Sequence, residues 1–379
     1  LTVENRYDFT DLNQLQIHCA LYQNRTLLNQ QTICISCPPH ETQVFQAPVQ
    51  VPQTAQESDI RLELKFCDQS GKSAAEHTVL LIPPSGKSNW MSIQENAAGS
   101  AGNLQEIPEG WRFPDPAKMT LQVNPNGPLI LADSDGLPVL KGPFLRVGRK
   151  PTMAERRTYK KARLEIWEPS LFRKFAILQS RTLQEGEQAV LKMQIRYSSP
   201  DEKKSVLADL TCTAAPQGWI DLEYSLKPQS QEGAVLELGL AFDMLFSVDT
   251  VLWLGMGPYP SYPQKSELCR RGIYILHPQD EFFDGNRMDV EAAIFRGRKQ
   301  NSVGFLCRRD NLGWERKEAG LTVFHNAQVA GLGTKFKSPR TLLEVQKINE
   351  ANGRFRILWQ SKKNLPKPFD ELFSGSGSN

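Results

Sequence analysis

The chain has 379 residues, a formal net charge of +3, 23% charged residues and 40% hydrophobic residues. That balance excludes a nucleic-acid footprint, which needs a basic excess gathered on one face, and the length predicts two or three domains with a substantial core. Seven cysteines, odd in number and thinly spread, exclude a disulfide framework.

The N-terminal part is a series of short strands. Residues 2–9 alternate apolar and polar, as a half-buried strand does. Further strands are predicted at 14–22, 30–36, 42–47, 59–67 and 77–82, separated by turn-prone residues at Asn24, Pro38-Pro39, Gln56 to Ser58 and Asp68 to Lys72. Strands at this spacing predict an immunoglobulin-like sandwich over 1–86, closed by Pro83-Pro84-Ser85-Gly86. Cys34-x-x-Cys37-x-x-His40 has the spacing of metal ligands, but no second pair follows, and an ordinary strand turns the two cysteines to opposite faces. The expectation is a structural role, with no metal and no cofactor. Leu1 opens directly on strand-like sequence without a signal peptide, as a piece of a longer protein does.

Residues 87–118 are expected to be an irregular connecting segment, pinned to a neighbouring surface by Trp111 and Phe113. A domain over 119–368 follows, with a flexible tail at 369–379 that ends in S-G-S-G-S-N. It opens with strands at 119–123, 129–132 and 137–140, joined by the turns Asn124-Pro-Asn-Gly127 and Ser134-Asp-Gly136. Residues 152–163 are the best helix candidate, a short one, with Thr152 as N-cap and Glu155 at the capping-box position. Strands are then predicted at 163–168, 172–181, 188–197, 205–214, 219–227, 234–242, 248–254, 289–297, 301–308, 321–326, 341–346 and 353–360. A run of that length needs two large packed sheets, so the fold class is all-β. The most apolar stretch, Ala234 to Met256, contains Glu237, Asp243 and Asp249 and cannot be a transmembrane helix. Neither nucleic acid nor membrane is expected as a partner.

Within this run, Val251 to Lys265 reads V-L-W-L-G-M-G-P-Y-P-S-Y-P-Q-K. Gly255 and Gly257 let a strand bend or admit a close neighbour, Pro258 ends ladder pairing, and Trp253, Tyr259 and Tyr262 put aromatic surface beside the bend. Such a segment serves either as a sugar-binding rim or as a packed corner, and Trp253 is read as structural.

The W-x-G-x-G-P-x-x-x-Y-P frame at 253–263 resembles the signature of the β-galactosidase small-chain domain, the C-terminal supersandwich of glycoside hydrolase family 2 β-galactosidases. Pro260, Gln264 and Lys265 stand where the family carries Glu, Asp and Arg. Residues 3–15, V-E-N-R-Y-D-F-T-D-L-N-Q-L, resemble the domain that precedes that supersandwich. The resemblance implies an immunoglobulin-like β-sandwich followed by a galactose-mutarotase-like β-supersandwich, in a bacterium, with periplasm and cytoplasm both open. In the family the two catalytic carboxylates sit on a (β/α)8 barrel. This chain has no alternating β/α pattern and no room for about 250 residues of barrel. No catalytic residue is therefore expected here. The implied role is an accessory region that braces the barrel of the same parent chain and shapes a rim for carbohydrate.

The rim residues are carried over position by position. The family's rim loop matches Gly331-Leu-Gly-Thr-Lys-Phe-Lys-Ser-Pro339 and is one residue shorter here. Its aromatic position falls on Lys337, with Phe336 next to it, and Lys335 and Lys337 suit an anionic, galactoside-like sugar. The R-A-P-x-D-N-D tract matches Leu145 to Thr152, which places Arg146 and Arg149 there, and a P-x-E-N-G tract matches Phe282 to Arg287, with Asn286 and Arg287. Two other readings stay open. One is a stand-alone carbohydrate-binding or scaffold protein. The other is a mutarotase-like epimerase, for which the supersandwich part offers only His277 and His325.

Overall fold

A computed structural model of the chain describes residues 1–82 apart from 24–25 and 52–59. It also describes 104–332 apart from 109, 115–118, 125–126, 217, 230–232, 267, 298–301 and 319, and then 347–360. Two compact units divide it, Leu1–Asn89 and Trp90–Asn379.

Among the described residues the first unit has six strands: β1 (Thr2–Glu4), β2 (Gln16–Gln23), β3 (Thr26–Ile33), β4 (Thr42–Val44), β5 (Ile60–Cys67) and β6 (Ser73–Ile82). β1 pairs with β4, and the other four form a sheet in the order β3-β2-β5-β6. Period-two alternation explains its burial. Ile60, Leu62, Leu64 and Phe66 of β5 point inward and pack with Ile17, Cys19 and Leu21 of β2. The first strand ends at Glu4 rather than at residue 9 because Asn5 is drawn inward. Its Nδ2 donates to the carbonyls of Thr10 (2.8 Å) and Cys37 (2.7 Å), and its Oδ1 accepts from the Tyr7 N–H (3.0 Å). Asp11 caps a short 3-10 turn, Leu12–Gln14, and also accepts from the Cys37 N–H (3.1 Å). These residues lie within the 3–15 match, so that match marks a structural joint. Cys34 is exposed and Cys37 buried, but both follow the end of β3 at Ile33, so the difference does not come from the two faces of a strand.

The second unit begins with β7 (Gln105–Ile107), β8 (Gly110–Arg112), β9 (Thr120–Asn124), β10 (Gly127–Ala132) and β11 (Pro138–Gly148). β7 and β8 lie inside the stretch expected to be irregular; three residues each is too short for alternation to show in sequence. Trp111 and Phe113 are buried in the main core, as expected of pinning residues. Helix α1 (Met153–Lys161) has the full capping box: Thr152 Oγ1 accepts from the Glu155 N–H, and Glu155 accepts from the Thr152 N–H. The remaining strands are β12 (Ser170–Phe172), β13 (Lys174–Glu185), β14 (Gln188–Ser198), β15 (Ser205–Ala215), β16 (Trp219–Pro228), β17 (Glu237–Met244), β18 (Val248–Gly257), β19 (Arg270–Leu276), β20 (Gly285–Gly297), β21 (Ser302–Lys317), β22 (Gly320–Val329) and β23 (Ala351–Gln360). The predicted strand at 163–168 is reduced to a single bridge at Ile166, β19 was not foreseen, and the strand predicted at 341–346 lies outside the described residues.

All of these ladders are antiparallel and build two large sheets. One runs β7-β8-β9-β10-β11-β17-β22. The other runs β13-β14-β15-β16-β23 on one side and carries β18-β19 on the other. β20 and β21 belong to both. The first half of β21 pairs with β23, its second half with β22, and β20 follows it along its length. The crossing is made by two bulges, with Asp289 (φ 52°) and Arg309 (φ 62°) in left-handed conformation and the register shifting beside Val290. Inward side chains of both sheets merge into one core, where Phe242, Phe295, Phe305 and Phe355 pack with centroids 5.8–6.0 Å apart.

Candidate functional site

The glycine-rich segment at the end of β18 is a packed corner. Trp253 is fully buried, its Nε1–H donates to the Met256 carbonyl (3.1 Å), and its ring lies 5.2 Å from Tyr274 and 5.3 Å from Trp314. Gly255 faces the Val290 backbone, and a Cβ on Gly257 would sit 2.5 Å from the Tyr274 ring. The two glycines thus serve close packing of protein on protein.

Beyond that corner, Tyr262 to Lys265 closes a tight turn, with backbone bonds of 3.2 and 2.9 Å between the end residues and Gln264 at φ 64°. The Leu332 N–H donates to the Pro263 carbonyl (3.0 Å). The base of the Gly331–Pro339 loop is therefore fastened to this turn.

Arg146 and Arg149 approach the same point from the end of β11. The Arg146 guanidinium pairs with Glu237 of β17, lies 3.6 Å from Glu315, and covers the Phe324 ring at 3.6 Å. Gly148 leaves the space that the Arg146–Glu237 pair occupies. Arg149 grips Glu155 with both terminal nitrogens (2.9 and 2.6 Å), donates to the Ala330 carbonyl (3.3 Å), and lies 5.3 Å from the centre of the Tyr262 ring. Burial alone would lower the pKa of Arg149, but the charges of Glu155 and Glu237 reverse it and hold the guanidinium above its ordinary value. Burial likewise pushes Glu155 up, yet the Arg149 and Thr152 hydrogen bonds outweigh it and the carboxyl sits below its usual range. The Tyr262 hydroxyl is pushed up by burial and by Glu237.

Asn286 and Arg287 complete the surroundings of Tyr262. The Asn286 N–H donates to the Tyr262 hydroxyl (3.3 Å), and its side chain links the Ser261 carbonyl, Asn311 and Asn326 at 3.0–3.2 Å. Arg287 donates to the carbonyls of Gly285 (2.9 Å) and Phe282 (2.7 Å) and stacks over Trp314 (4.3 Å) and Trp253 (5.4 Å). Its burial lowers the guanidinium pKa to about 10.

Four of the predicted site residues, Arg146, Arg149, Asn286 and Arg287, are thus brought around Tyr262, each substantially buried and bonded within the protein. Phe336, Lys335 and Lys337 lie outside the described residues. The partners that sequence reasoning missed are Glu155 and Glu237. Both left a signal: Glu155 sat at the capping-box position, and Glu237 stood as a carboxylate in the most apolar stretch of the chain. Chemically, the arrangement is a buried, charge-compensated polar cluster that holds Ala330 and Leu332.

A family model of β-galactosidase domain 4 matches residues 1–81, and one of the β-galactosidase small chain matches residues 118–330. No curated protein matches the chain. Among solved structures, a putative aldose 1-epimerase from Escherichia coli K12 aligns at 7% identity and TM-score 0.35, covering 65% of this chain and 97% of that one. A galactose 1-epimerase from Lactobacillus acidophilus NCFM aligns at 9% identity and TM-score 0.35, covering 68% and 97%. A GalM/aldose epimerase homologue from C. elegans aligns at 9% and 0.31, covering 80% and 95%. With the small-chain model spanning more than half of the residues and domain 4 directly ahead of it, this chain belongs to the β-galactosidase small-chain family and corresponds to the C-terminal region of family 2 β-galactosidases.

Proposed function

We propose that the chain is the accessory C-terminal region of a β-galactosidase-like glycoside hydrolase, bracing the catalytic barrel of its parent chain and shaping the rim where carbohydrate enters. The observation that carries this reading is the succession of domain 4 and small chain in one polypeptide. The geometry around Tyr262 supports it. Arg149 and the Tyr262–Lys265 turn hold Ala330 and Leu332, so the loop that follows starts from a fixed point. In this reading Arg146, Arg149, Asn286 and Arg287 position the loop from beneath. Phe336 then offers a ring to the apolar face of a sugar, and Lys335 and Lys337 meet a sulfate or uronate.

Retaining hydrolysis needs a carboxylate pair about 5–5.5 Å apart, which the family carries on its barrel. The purified chain is therefore expected to leave nitrophenyl β-galactosides intact, and robust turnover would overturn the accessory role. Calorimetric titration with sulfated and neutral galactans checks the rim. Binding of the sulfated glycan should weaken with added salt and in the Lys335→Ala plus Lys337→Ala variant. Salt-insensitive binding of the neutral glycan would sink the anionic-sugar assignment.

A further inference from the structure

The corner where β20 and β21 pass between the sheets holds a set of side chains that the loop-bracing role does not use. In a regular strand, residues three apart face opposite sides. The left-handed turn at Arg309 changes this, and Cys307 and Asp310 face the same space, together with His325 of β22. The Cys307 thiol, an Asp310 oxygen and a His325 nitrogen all lie within 4.8 Å of one another. Ligands at zinc bond lengths of about 2.0–2.3 Å stand roughly 3.3–3.8 Å apart, so a small inward movement completes the set.

The histidine is already oriented. The Tyr224 hydroxyl lies 2.7 Å from His325 Nδ1 and 3.2 Å from the His325 carbonyl, and so anchors the ring by its Nδ1 edge. Nε2, the other ring nitrogen, faces the Asp310 carboxylate 3.3 Å away, the side from which a metal would be shared between them. Cys307 and His325 are buried, whereas the Asp310 side chain is 34% exposed and opens on a cleft of about 590 Å3 lined also by Asp209, Glu223, Arg308 and Arg354. The cleft offers both an entry path and an open coordination position.

We propose that Cys307, Asp310 and His325 form a binding site for a divalent transition metal of the zinc class, with Tyr224 as the outer partner of the imidazole and the fourth position open to the cleft. Thiolate, imidazole and carboxylate together select zinc or cobalt over magnesium or calcium. On binding, the thiol proton of Cys307 is released to solvent and the sulfur bonds to the metal, with no change of oxidation state.

Cobalt(II) is the probe, because a thiolate–cobalt bond gives a charge-transfer band that nitrogen and oxygen ligands do not. The chain, stripped with chelator and carrying Cys34→Ser to remove the exposed thiol, is titrated with cobalt chloride. The expected result is one cobalt per chain with the thiolate band and tetrahedral visible bands. Cys307→Ser should abolish the band, and Tyr224→Phe should weaken binding about 10–100-fold. Absence of the thiolate band in the folded Cys34→Ser chain would overturn the site, and so would a band that survives Cys307→Ser. Should Cys307→Ser fail to fold by circular dichroism, the Tyr224→Phe shift decides; an unchanged affinity there refutes the site.

Discussion

Replacing Glu155 by alanine tests how firmly the loop base is held. The carboxylate is fully buried and accepts three hydrogen bonds, two from Arg149 (2.9 and 2.6 Å) and one from the Thr152 N–H (2.7 Å). Alanine removes all three and leaves Arg149 and the first turn of α1 short of partners. Breaking a buried pair by deleting one member costs about 3–5 kcal/mol, which lowers Tm by about 6–20 °C at roughly 2–4 °C per kcal/mol. Calorimetric melting measures it, and hydrogen exchange at Ala330 to Leu332 should quicken in step, because Arg149 also holds the Ala330 carbonyl. The pH dependence has a fixed sign. The folded pKa of Glu155 lies below its ordinary 4.5, so its stabilisation is complete above that value and fades as pH falls through the folded pKa. The stability gap between the parent protein and Glu155→Gln should therefore be constant at neutral pH and narrow in acid. A loss under about 1 kcal/mol for Glu155→Ala, or a gap that widens in acid, would refute the argument.

Three further outcomes follow from the same physics. Asp221→Asn breaks the buried bidentate pair with Arg356 (2.6 and 2.9 Å) and should cost about 3–5 kcal/mol in denaturant unfolding. Gly257→Ala drives a methyl into the Tyr274 and Trp253 rings and should destabilise by about 1–3 kcal/mol, with a changed tryptophan emission spectrum as the local signature. A thiol reagent should modify only Cys34 in the folded protein and all seven cysteines in denaturant, since the others are buried and Cys212 is pushed up to about 12 by its burial.

Much of the fold was legible because its signals are local. The Thr152–Glu155 box announced α1, and alternation in 60–67, 188–197 and 205–214 announced β5, β14 and β15. Strand β19 escaped because Arg270 to Leu276 mixes arginine, glycine and tyrosine with apolar residues, and every one of its positions is half-buried or exposed. The site was legible only as positions. Arg146, Arg149, Asn286 and Arg287 do converge on Tyr262, but their partners Glu155 and Glu237 come from an adjoining helix and a distant strand. A basic run such as R-V-G-R-K reads as solvated charge until those carboxylates are placed beside it. The Cys307–Asp310–His325 set was hidden for a similar reason: ordinary strand periodicity separates residues 307 and 310, and only the bulge at Arg309 brings them together.

The passage of β20 and β21 through both sheets has a mechanical consequence. A sandwich whose layers share no strand can lose one layer while the other persists. Here the two long strands act as common rods, so peeling either sheet tears hydrogen bonds from strands that the other depends on. Among the described residues of the second unit, Gly285–Gly297 and Ser302–Lys317 are therefore expected to be the last segments to exchange. In the accessory role proposed above, two strands shared between the sheets would keep the underside of the rim still.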